Sequence, residues 1–351
     1  MLHDLTKLST LFSDLPEGQL FVLTDTNTIE HCLPSFAKYI GNISYNLLTL
    51  EAGEKSKNLT SAQIVWDFLL KNHATREAIL VNLGGGMITD LGGFVAATYM
   101  RGIRFINIPT TLLAMVDASS GGKTGFDYHG VKNLIGTFTL PIATLIDPVF
   151  LNTLPKEELL SGFAEMLKHA LIASPEDWVK LLLLTQDELS QEQFIETLGS
   201  TGLLQASIAI KEKVVAQDPL EIGWRKILNF GHTIGHAIES TTLQQTTLHH
   251  YSHGYYVLWG MMAEVYLSVV KLGCPREVLQ QLTQIMLQYY GKPQCDCKQR
   301  EKLIQRMYQD KKNSANHTPN FTLLRTIGDP IINQHPTEDD INEALEYLFS
   351  L

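Results

Sequence analysis

The segment Ala78-Ile79-Leu80-Val81-Asn82-Leu83-Gly84-Gly85-Gly86 decides the fold of the first part of this 351-residue chain. Its six leading residues form an apolar run with the length and composition of a buried strand. The three glycines predict a tight turn, and the apolar spacing of residues 88–99 predicts that a helix follows. A strand that runs through a turn into a helix indicates an α/β arrangement with a parallel sheet.

Similar patterns surround this segment. Further strands are predicted at residues 20–24, 105–108 and 140–146, and a helix at 61–70. From Pro155 onward the helical period dominates, and the one clear β run there is 320–324. The helical patterns cover residues 159–171, 178–184, 194–215, 226–239, 255–270 and 277–290, and the polar stretch 240–250 predicts a surface loop. We predict an α/β domain with a parallel sheet over 1–152 and a mostly α-helical domain over 153–351.

The composition excludes several classes of protein. With 27 Lys and Arg against 37 Asp and Glu, the formal net charge of −10 argues against broad nucleic-acid binding and against a polybasic membrane anchor. No segment reaches the roughly 18 uninterrupted apolar residues that a membrane span needs. Asp4, Lys7 and Asp14 occupy the region where a secretory signal has its apolar core, so a cytoplasmic location is predicted. The low charged fraction of 18% predicts that another part of the chain or another subunit covers much of the surface.

Four cysteines are too few for a disulfide framework. Cys295 and Cys297 have the spacing of half a zinc site, but no second pair is present. Reduced thiols without a metal are the alternative.

The glycine turn has two interpretations. Backbone N–H groups at the start of a helix favour a phosphate, and missing Cβ atoms let it approach closely. The dinucleotide fingerprint is incomplete, because Thr89 stands where its third glycine belongs. A tight turn without ligand is the alternative. Asp90 is either a partner of the helix dipole or a ribose or nicotinamide contact.

A metal site is one interpretation of three features in the second half. Asn229-Phe230-Gly231-His232-Thr233-Ile234-Gly235-His236 places two histidines on one helical face, with Glu239 at i+7 of the first. Glu165 and His253 add a carboxylate and a third imidazole, and such sets bind catalytic zinc. Hydrogen-bonded structural histidines, and an exposed ion pair between Glu165 and Lys168, are the alternatives.

Isolated cations next to Gly, Thr or Asn form a further pattern. Such cations are more often anion ligands than a solvated face, because phosphate or carboxylate needs room to reach them. They are Arg101, Lys123, Lys132, Lys211, Arg225, Lys311 and Lys312.

These segments together resemble the 3-dehydroquinate synthases, which belong to the sugar phosphate cyclases within a wider metal-dependent dehydrogenase fold. They follow the family's order along nearly the whole chain. The segments are Gly84-Gly-Gly-Met-Ile-Thr-Asp90, Tyr99-Met-Arg-Gly102, Pro109-Thr-Thr-Leu-Leu-Ala-Met-Val-Asp117, Gly121-Gly-Lys-Thr-Gly125, Lys132-Asn-Leu-Ile-Gly136, Gly162-Phe-Ala-Glu-Met-Leu-Lys168, Asn229-Phe-Gly-His-Thr-Ile-Gly-His236 and Asp310-Lys-Lys312.

The resemblance implies a lyase that converts the sugar acid phosphate 3-deoxy-D-arabino-heptulosonate 7-phosphate to 3-dehydroquinate and phosphate, a step of aromatic amino acid biosynthesis. It implies a Rossmann-like NAD-binding first domain, a divalent metal (zinc, with cobalt as the alternative) and a homodimer. In the family, the C5 alcohol is oxidised, phosphate leaves by β-elimination, the ketone is reduced again, and an aldol step closes the ring.

The resemblance also implies a role for individual residues. The metal ligands are Glu165, His232 and His253. The catalytic residues are Asp117, Lys123, Lys168, Lys211, Arg225, Asn229 and His236, and further substrate contacts are Arg101, Asn133 and Lys311, with Lys312 as the alternative to Lys311. The NAD contacts are Asp25, Glu54, Lys57, Gly85, Gly86, Asp90, Thr110, Thr111, Lys123, Lys132, Thr153 and Leu154.

The chain departs from the family pattern at three points. After His253 the family continues Gly-Glu-Ala, whereas Gly254-Tyr255-Tyr256 stands here, so a carboxylate near the metal is missing. Ala118-Ser119-Ser120 replaces Ser-Ser-Ile, and Asp218-Pro219 replaces an Asp-Glu pair. Two other activities stay open: a valiolone- or inosose-type cyclase, and an NAD- and metal-dependent alcohol dehydrogenase.

Overall fold

The computed structural model describes residues 5–129, 131–186, 189–245, 247–295, 299–308 and 318–351. The chain divides into two compact units, Met1–Pro155 and Lys156–Leu351. The predicted division of function, with NAD bound by residues 1–152 and metal and substrate by 153–351, stays a prediction at this point.

The first unit is an α/β unit, as predicted. After a 3₁₀ segment, Leu5–Phe12, its strands and helices alternate. In chain order they are β1 (Leu20–Asp25), α1 (Thr28–His31), α2 (Leu33–Ile40), β2 (Asn46–Leu50), α3 (Leu59–Lys71), β3 (Ile79–Gly84), α4 (Gly86–Thr98), β4 (Arg104–Pro109), β5 (Lys123–Tyr128), β6 (Val131–Phe138) and β7 (Ala143–Thr144). Among the described residues, β2, β1, β3, β4 and β7 form a parallel sheet in that order.

The opening segment forms a central strand of this sheet, as its apolar run predicts. Every residue of β3 is buried, because β1 and β4 flank it and α4 packs on it. For the neighbouring strands β1 and β4, the predicted bounds differ from the observed ones by no more than one residue at each end. The pattern missed β2, which is half-buried, and the antiparallel hairpin β5–β6, whose second strand is largely exposed. The predicted strand 140–146 shrinks to β7, because Leu140 and Ile142 lie on the surface.

The second unit is mostly helical, as predicted. Its elements are α5 (Lys156–Ala173), α6 (Pro175–Gln186), α7 (Gln191–Ser200), α8 (Leu203–Gln217), α9 (His232–Thr242), α10 (His253–Leu272), α11 (Arg276–Ile285), α12 (Arg300–Tyr308), β8 (Phe321–Thr326), β9 (Asp329–Gln334) and α13 (Glu338–Ser350). Strands β8 and β9 form an antiparallel hairpin. None of the helices in the described part of the chain is long and apolar enough to cross a membrane.

The patterns of the second half missed α12, β9 and α13, and three further segments of the helical unit differ from the prediction. The helix expected over 194–215 is interrupted at Gly202, which adopts a left-handed φ of 73°. The helix expected over 226–239 is a 3₁₀ turn, Trp224–Asn229, followed by Gly231 with a φ of 80° and then α9. The loop expected over 240–250 is wrong at its start, because Thr241 and Thr242 are buried in the last turn of α9.

Candidate active site

The glycine turn of the first unit lies at the carboxyl ends of the parallel strands. Gly84 ends β3, and its carbonyl accepts a hydrogen bond of 3.0 Å from the backbone N–H of Thr110, just after β4. A Cβ on Gly85 would lie 3.0 Å from Thr111 Cγ2, and one on Gly86 would lie 3.2 Å from Ala118 Cβ. Helix α4 begins at Gly86 without a side-chain cap. The turn is therefore a narrow cradle with backbone donors, which suits a phosphate group.

A polar cluster forms next to α4 around the buried side chain of Lys57. Lys57 Nζ donates to Asp90 Oδ2 and to Asn133 Oδ1, both at 2.6 Å, and lies 3.8 Å from Glu54 Oε1. Burial lowers the pKa of Lys57, but the carboxylates of Asp90 and Glu54 raise it more, and the net pKa lies above the usual range. Asp90 thus faces an ammonium near the start of α4, and both interpretations of this residue stay predictions. Asp127 belongs to the same cluster and was missed, because it lies on the unpredicted hairpin.

The other predicted residues of the first unit have varied surroundings. Asp25 Oδ1 accepts hydrogen bonds from the backbone N–H groups of Asn27 and Thr28, so its carboxylate holds the turn after β1. Arg101 is exposed in a left-handed turn with a φ of 67°, and Lys123 is exposed at the start of β5. Asp117 lies in the π turn Ala114–Ala118. The remaining members are Lys132 on β6, Thr153 at the end of the 3₁₀ turn Pro148–Thr153, and Leu154 directly after it.

Three histidines of the second unit converge. The ring centroids of His232 and His236, on α9, lie 5.2 Å apart, and those of His253, at the start of α10, lie 5.5 and 5.6 Å from them. In the described part of the chain, one nitrogen from each ring lies within 4.8 Å of the others. Nδ1 of His232 lies 3.2 Å from the carbonyl oxygen of Phe230, which leaves Nε2 as its ligand atom when Nδ1 carries the proton.

Glu165 and Lys168 adjoin this histidine cluster. Glu165 Oε1 lies 3.7 Å from His232 Nε2, and Oε2 pairs with the ammonium of Lys168. Both side chains are buried, so the alternative of an exposed ion pair is wrong. Oε1 accepts no hydrogen bond within the described structure. A buried carboxylate oxygen in this state, beside imidazole nitrogens, fits a divalent cation.

The glycines around His232 and His236 have a packing role. A Cβ on Gly231 would lie 2.7 Å from the carbonyl oxygen of Val257, and one on Gly235 would lie 2.6 Å from that of Tyr256. Both contacts are with the backbone of α10. The absence of a side chain at Gly231 and Gly235 therefore allows α10 to pack closely against α9. This packing brings His253 next to His232 and His236.

The turn between α8 and α9 positions two predicted residues. Asp218 Oδ2 accepts hydrogen bonds from the backbone N–H groups of Gly223 and Arg225, and Arg225 Nη1 donates to the carbonyl oxygen of Pro219 at 2.7 Å. Pro219, which departs from the family pattern, thus accepts a hydrogen bond from the Arg225 side chain with its backbone carbonyl. Asn229 Nδ2 donates to Glu221 Oε1 at 2.9 Å.

Glu221 was missed by the sequence analysis. Its φ of 59° is rare for a glutamate and marks a constrained turn. Pro219, two residues before Glu221, was the local sequence feature that could have indicated this turn. Lys211, on α8, and Arg225 are both buried.

Some predicted residues stay untested. Lys311 and Lys312 lie outside the described residues, and so does Cys297. Cys295 is buried, with its sulfur 3.6 Å from Thr242 Oγ1.

Burial raises the pKa of the Cys32 thiol to about 11, so this thiol stays protonated at neutral pH.

Comparison with known proteins decides the family. Models of the 3-dehydroquinate synthase N-terminal and C-terminal domains match residues 47–161 and 162–313. The chain belongs to the 3-dehydroquinate synthase family. A 3-dehydroquinate synthase of Parabacteroides distasonis is 43% identical over 342 residues, which is 97% of this chain and 94% of the relative. One of Streptococcus pneumoniae is 42% identical, covering 84% of this chain and 79% of the relative. The predicted family, fold class and enzymatic activity are thereby confirmed.

Solved structures show the same fold. A 2-epi-5-epi-valiolone synthase from Streptomyces hygroscopicus subsp. jinggangensis, with NAD+ and Zn2+ bound, has a TM-score of 0.82 at 25% identity and covers 99% of this chain and 95% of its own. A 2-deoxy-scyllo-inosose synthase in complex with carbaglucose-6-phosphate, NAD+ and Co2+ has a TM-score of 0.81 at 21% identity, with coverages of 98% and 94%.

The departure after His253 fills an aromatic cluster. The ring of Tyr255 stacks on Tyr251 with centroids 4.9 Å apart, and meets Tyr290 and Trp259 edge-on at 4.9 and 6.1 Å. A carboxylate at this position would be buried among rings. The substitution is therefore consistent with the local packing of this chain.

Proposed function

We propose that the chain converts 3-deoxy-D-arabino-heptulosonate 7-phosphate into 3-dehydroquinate and inorganic phosphate with NAD and a divalent metal. The observation that carries the proposal is the buried pair Glu165 and Lys168 beside the partly buried His232, which joins a carboxylate, a cation and the histidine cluster in one place. The relatives named as 3-dehydroquinate synthases support the same reaction.

The first unit would hold NAD. The uncapped start of α4 and the cradle at Gly85 and Gly86 suit its pyrophosphate, and Lys57 and Asp90 are suited to bind its ribose or nicotinamide. NAD held by these residues would supply reversible hydride transfer at the C5 alcohol, with no net oxidation. The valiolone synthase solved with NAD+ supports this cofactor. The other NAD contacts, among them Asp25, keep the roles that the resemblance implies.

The second unit would hold the metal on Glu165, His232 and His253. A divalent metal held there would supply Lewis-acid polarisation of the substrate's hydroxyl groups. His236 lies within the same cluster, and its imidazole is suited to exchange a proton with a bound substrate.

The buried cations of the second unit would bind the substrate's anionic groups. The ammonium of Lys168 has three N–H donors, and one ion pair with Glu165 leaves donors for a substrate oxygen. Arg225 presents a planar guanidinium, which matches phosphate or carboxylate by two parallel hydrogen bonds. Lys211 and Arg225 are both buried, and the family resemblance assigns both to the anionic groups of the substrate. The family resemblance also implies substrate roles for Asp117, Lys123, Arg101, Asn133, Asn229 and Lys311.

The experiment is a phosphate-release assay with purified enzyme, NAD, Zn2+ and the heptulosonate phosphate, with the product identified by mass spectrometry. We expect one phosphate for each 3-dehydroquinate and no accumulation of NADH, because the hydride is returned in each turnover. A chelator should abolish phosphate release, and Zn2+ or Co2+ should restore it. Absence of phosphate release would overturn the proposal.

Two outcomes of this assay distinguish the alternatives. Stoichiometric accumulation of NADH would indicate a net alcohol dehydrogenase. Turnover of a sugar phosphate that lacks the carboxylate, in place of the heptulosonate, would indicate a valiolone- or inosose-type cyclase. The higher identity to 3-dehydroquinate synthases, 43% against 25% for the valiolone synthase, favours the proposed product.

We also propose a homodimer, on the basis of exposed apolar side chains on and after the β5–β6 hairpin. Leu134, Phe138 and Leu140 are exposed by 50%, 56% and 61%. Light scattering on the purified protein tests this proposal, and a monomer mass would contradict it.

A further inference from the structure

The carboxylate of Glu239 lies against one of the proposed metal ligands. Glu239 is on α9, seven residues after His232, and its side chain is 7% exposed. Its Oε2 lies 3.2 Å from Nδ1 of His253, which begins α10. The sequence alone shows Glu239 as a position on the histidine face of α9 but does not show which group it meets.

This contact selects one tautomer of the imidazole. A carboxylate accepts hydrogen bonds and donates none, so Nδ1 of His253 carries the proton and Nε2 keeps its lone pair. In metal sites of proteins, a ligand histidine usually donates its second ring N–H to a carboxylate or a carbonyl, which fixes the ring and makes it a stronger ligand. His232 has the matching arrangement with the carbonyl oxygen of Phe230.

The packing of α9 on α10 makes this contact rigid. A Cβ on Gly260, in α10, would lie 1.9 Å from the carbonyl oxygen of Gly231, so the two backbones touch at this level. The buried carboxylate of Glu264, also in α10, accepts a 2.7 Å hydrogen bond from the backbone N–H of Gly231. The position of Glu239 relative to His253 is therefore set by two closely packed helices rather than by a loop.

We propose that Glu239 is a positioning residue, which holds the ring of His253 with Nε2 directed to the divalent metal. The inference rests on the proposed metal site of Glu165, His232 and His253. It adds a residue that the family resemblance did not assign.

The test measures metal binding directly on the full-length protein. Zn2+ affinity is measured by competition with a chromogenic chelator, and the site geometry by the visible absorption of bound Co2+. For Glu239→Ala we expect a loss of Zn2+ affinity of about 10- to 100-fold and an altered Co2+ spectrum at saturating metal. Glu239→Gln should lose less, because the amide oxygen still accepts the hydrogen bond from Nδ1.

A matched control is Glu157→Gln. Glu157 has the same charge and lies beside the start of α10, where it accepts a hydrogen bond from the backbone N–H of Ser252, but it contacts no proposed ligand. We expect wild-type Zn2+ affinity and a wild-type Co2+ spectrum from this variant. Thermal melts of all variants show whether each is folded, and the near-isosteric Glu239→Gln keeps the test informative when Glu239→Ala is unstable.

The outcomes separate this inference from the proposed function. If wild-type protein binds Co2+ and folded Glu239→Ala binds Zn2+ equally well with an unchanged Co2+ spectrum, the positioning role is overturned and the metal site stands. If Glu157→Gln loses as much affinity as Glu239→Ala, the effect is one of local charge and the role is also overturned. If wild-type protein binds neither ion, the proposed metal site fails and the inference fails with it.

Discussion

Arg225 is held in place by its own backbone and by its neighbours. Its backbone N–H donates to the carboxylate of Asp218, and its guanidinium donates to the carbonyl oxygen of Pro219. The side chain is 2% exposed. An arginine fixed in this way has lost its rotamer freedom before an anion binds, which lowers the entropy cost of binding.

We expect Arg225→Ala to lower kcat/KM at least about 30-fold, because truncation of a buried hydrogen-bonded charge partner costs about 2 kcal/mol or more. The phosphate-release assay measures this effect. Arg325→Ala is the control, since Arg325 is exposed and pairs with Asp329 at 3.7 Å. Equal kcat/KM values for the two variants would contradict the role of Arg225.

Lys57 links two predicted NAD contacts, Asp90 and Glu54, to the predicted substrate contact Asn133. Its raised pKa keeps the ammonium charged at neutral pH, beside Asp90 and Asn133. We expect Lys57→Met to weaken NAD binding by about 10-fold or more, because a charged hydrogen bond contributes about 1.5–3 kcal/mol. Titration with NAD, followed by the quenching of intrinsic fluorescence, measures the dissociation constant.

The control for Lys57 is Lys55→Met, which removes the same charge from an exposed position two residues earlier. It should bind NAD as the wild-type protein does. Unchanged affinity in Lys57→Met would remove this lysine from the proposed NAD contacts.

At the scale of elements, the buried strands and most of the longer helices were predicted, whereas irregular turns and the helices α2, α12 and α13 were not. Strand β3 is buried on both faces, so its apolar run is continuous and visible in the sequence. Strand β6 alternates between half-buried and exposed residues and has no such run. The break at Gly202 is invisible to helical periodicity, because apolar residues continue on both sides of it.

The contact between α9 and α10 depends on glycine. We expect Gly260→Ala to lower the free energy of unfolding by at least about 1–3 kcal/mol, since its Cβ would overlap backbone atoms that have no room to move. Zn2+ affinity should fall as well, because the displacement would separate His253 from His232. Chemical denaturation and chelator competition measure the two effects.

Gly199→Ala is a suitable control for Gly260→Ala. Gly199 lies in α7, and a Cβ there would meet nothing within 4 Å. We expect this substitution to be neutral or to stabilise the protein by up to about 1 kcal/mol, because alanine favours a helix more than glycine does. A loss of stability equal to that of Gly260→Ala would show that close packing is not the cause.

At the scale of the whole molecule, buried tyrosines make stability sensitive to alkali. Burial raises the pKa of Tyr255 and of Tyr256 to about 12, and that of Tyr290 well above the usual 10.0. The unfolded chain therefore releases these protons at lower pH than the folded protein does. The stabilising contribution is complete below about pH 10 and is lost as the pH rises toward 12.

We expect the free energy of unfolding to fall above about pH 10, with each tyrosine contributing up to about 1.4 kcal/mol per pH unit. Urea denaturation across this range measures the slope. Tyr255→Phe should show a shallower slope than wild type, whereas Tyr128→Phe, at an exposed ring, should not. Identical slopes for wild type and Tyr255→Phe would contradict the prediction.

Local patterns were enough to predict the central strands, most of the longer helices, the α/β character of the first unit and the chemical types of the site residues. These features depend on local periodicity and on short motifs, which the chain carries in consecutive residues. The tertiary structure alone decided which of these residues meet. Lys57 contacts Asn133 across 76 positions of sequence, and Glu239 reaches His253 only because glycines let α9 and α10 touch. Contacts of this kind depend on packing between segments that are distant in sequence. A local sequence pattern does not show which distant residue a side chain will contact.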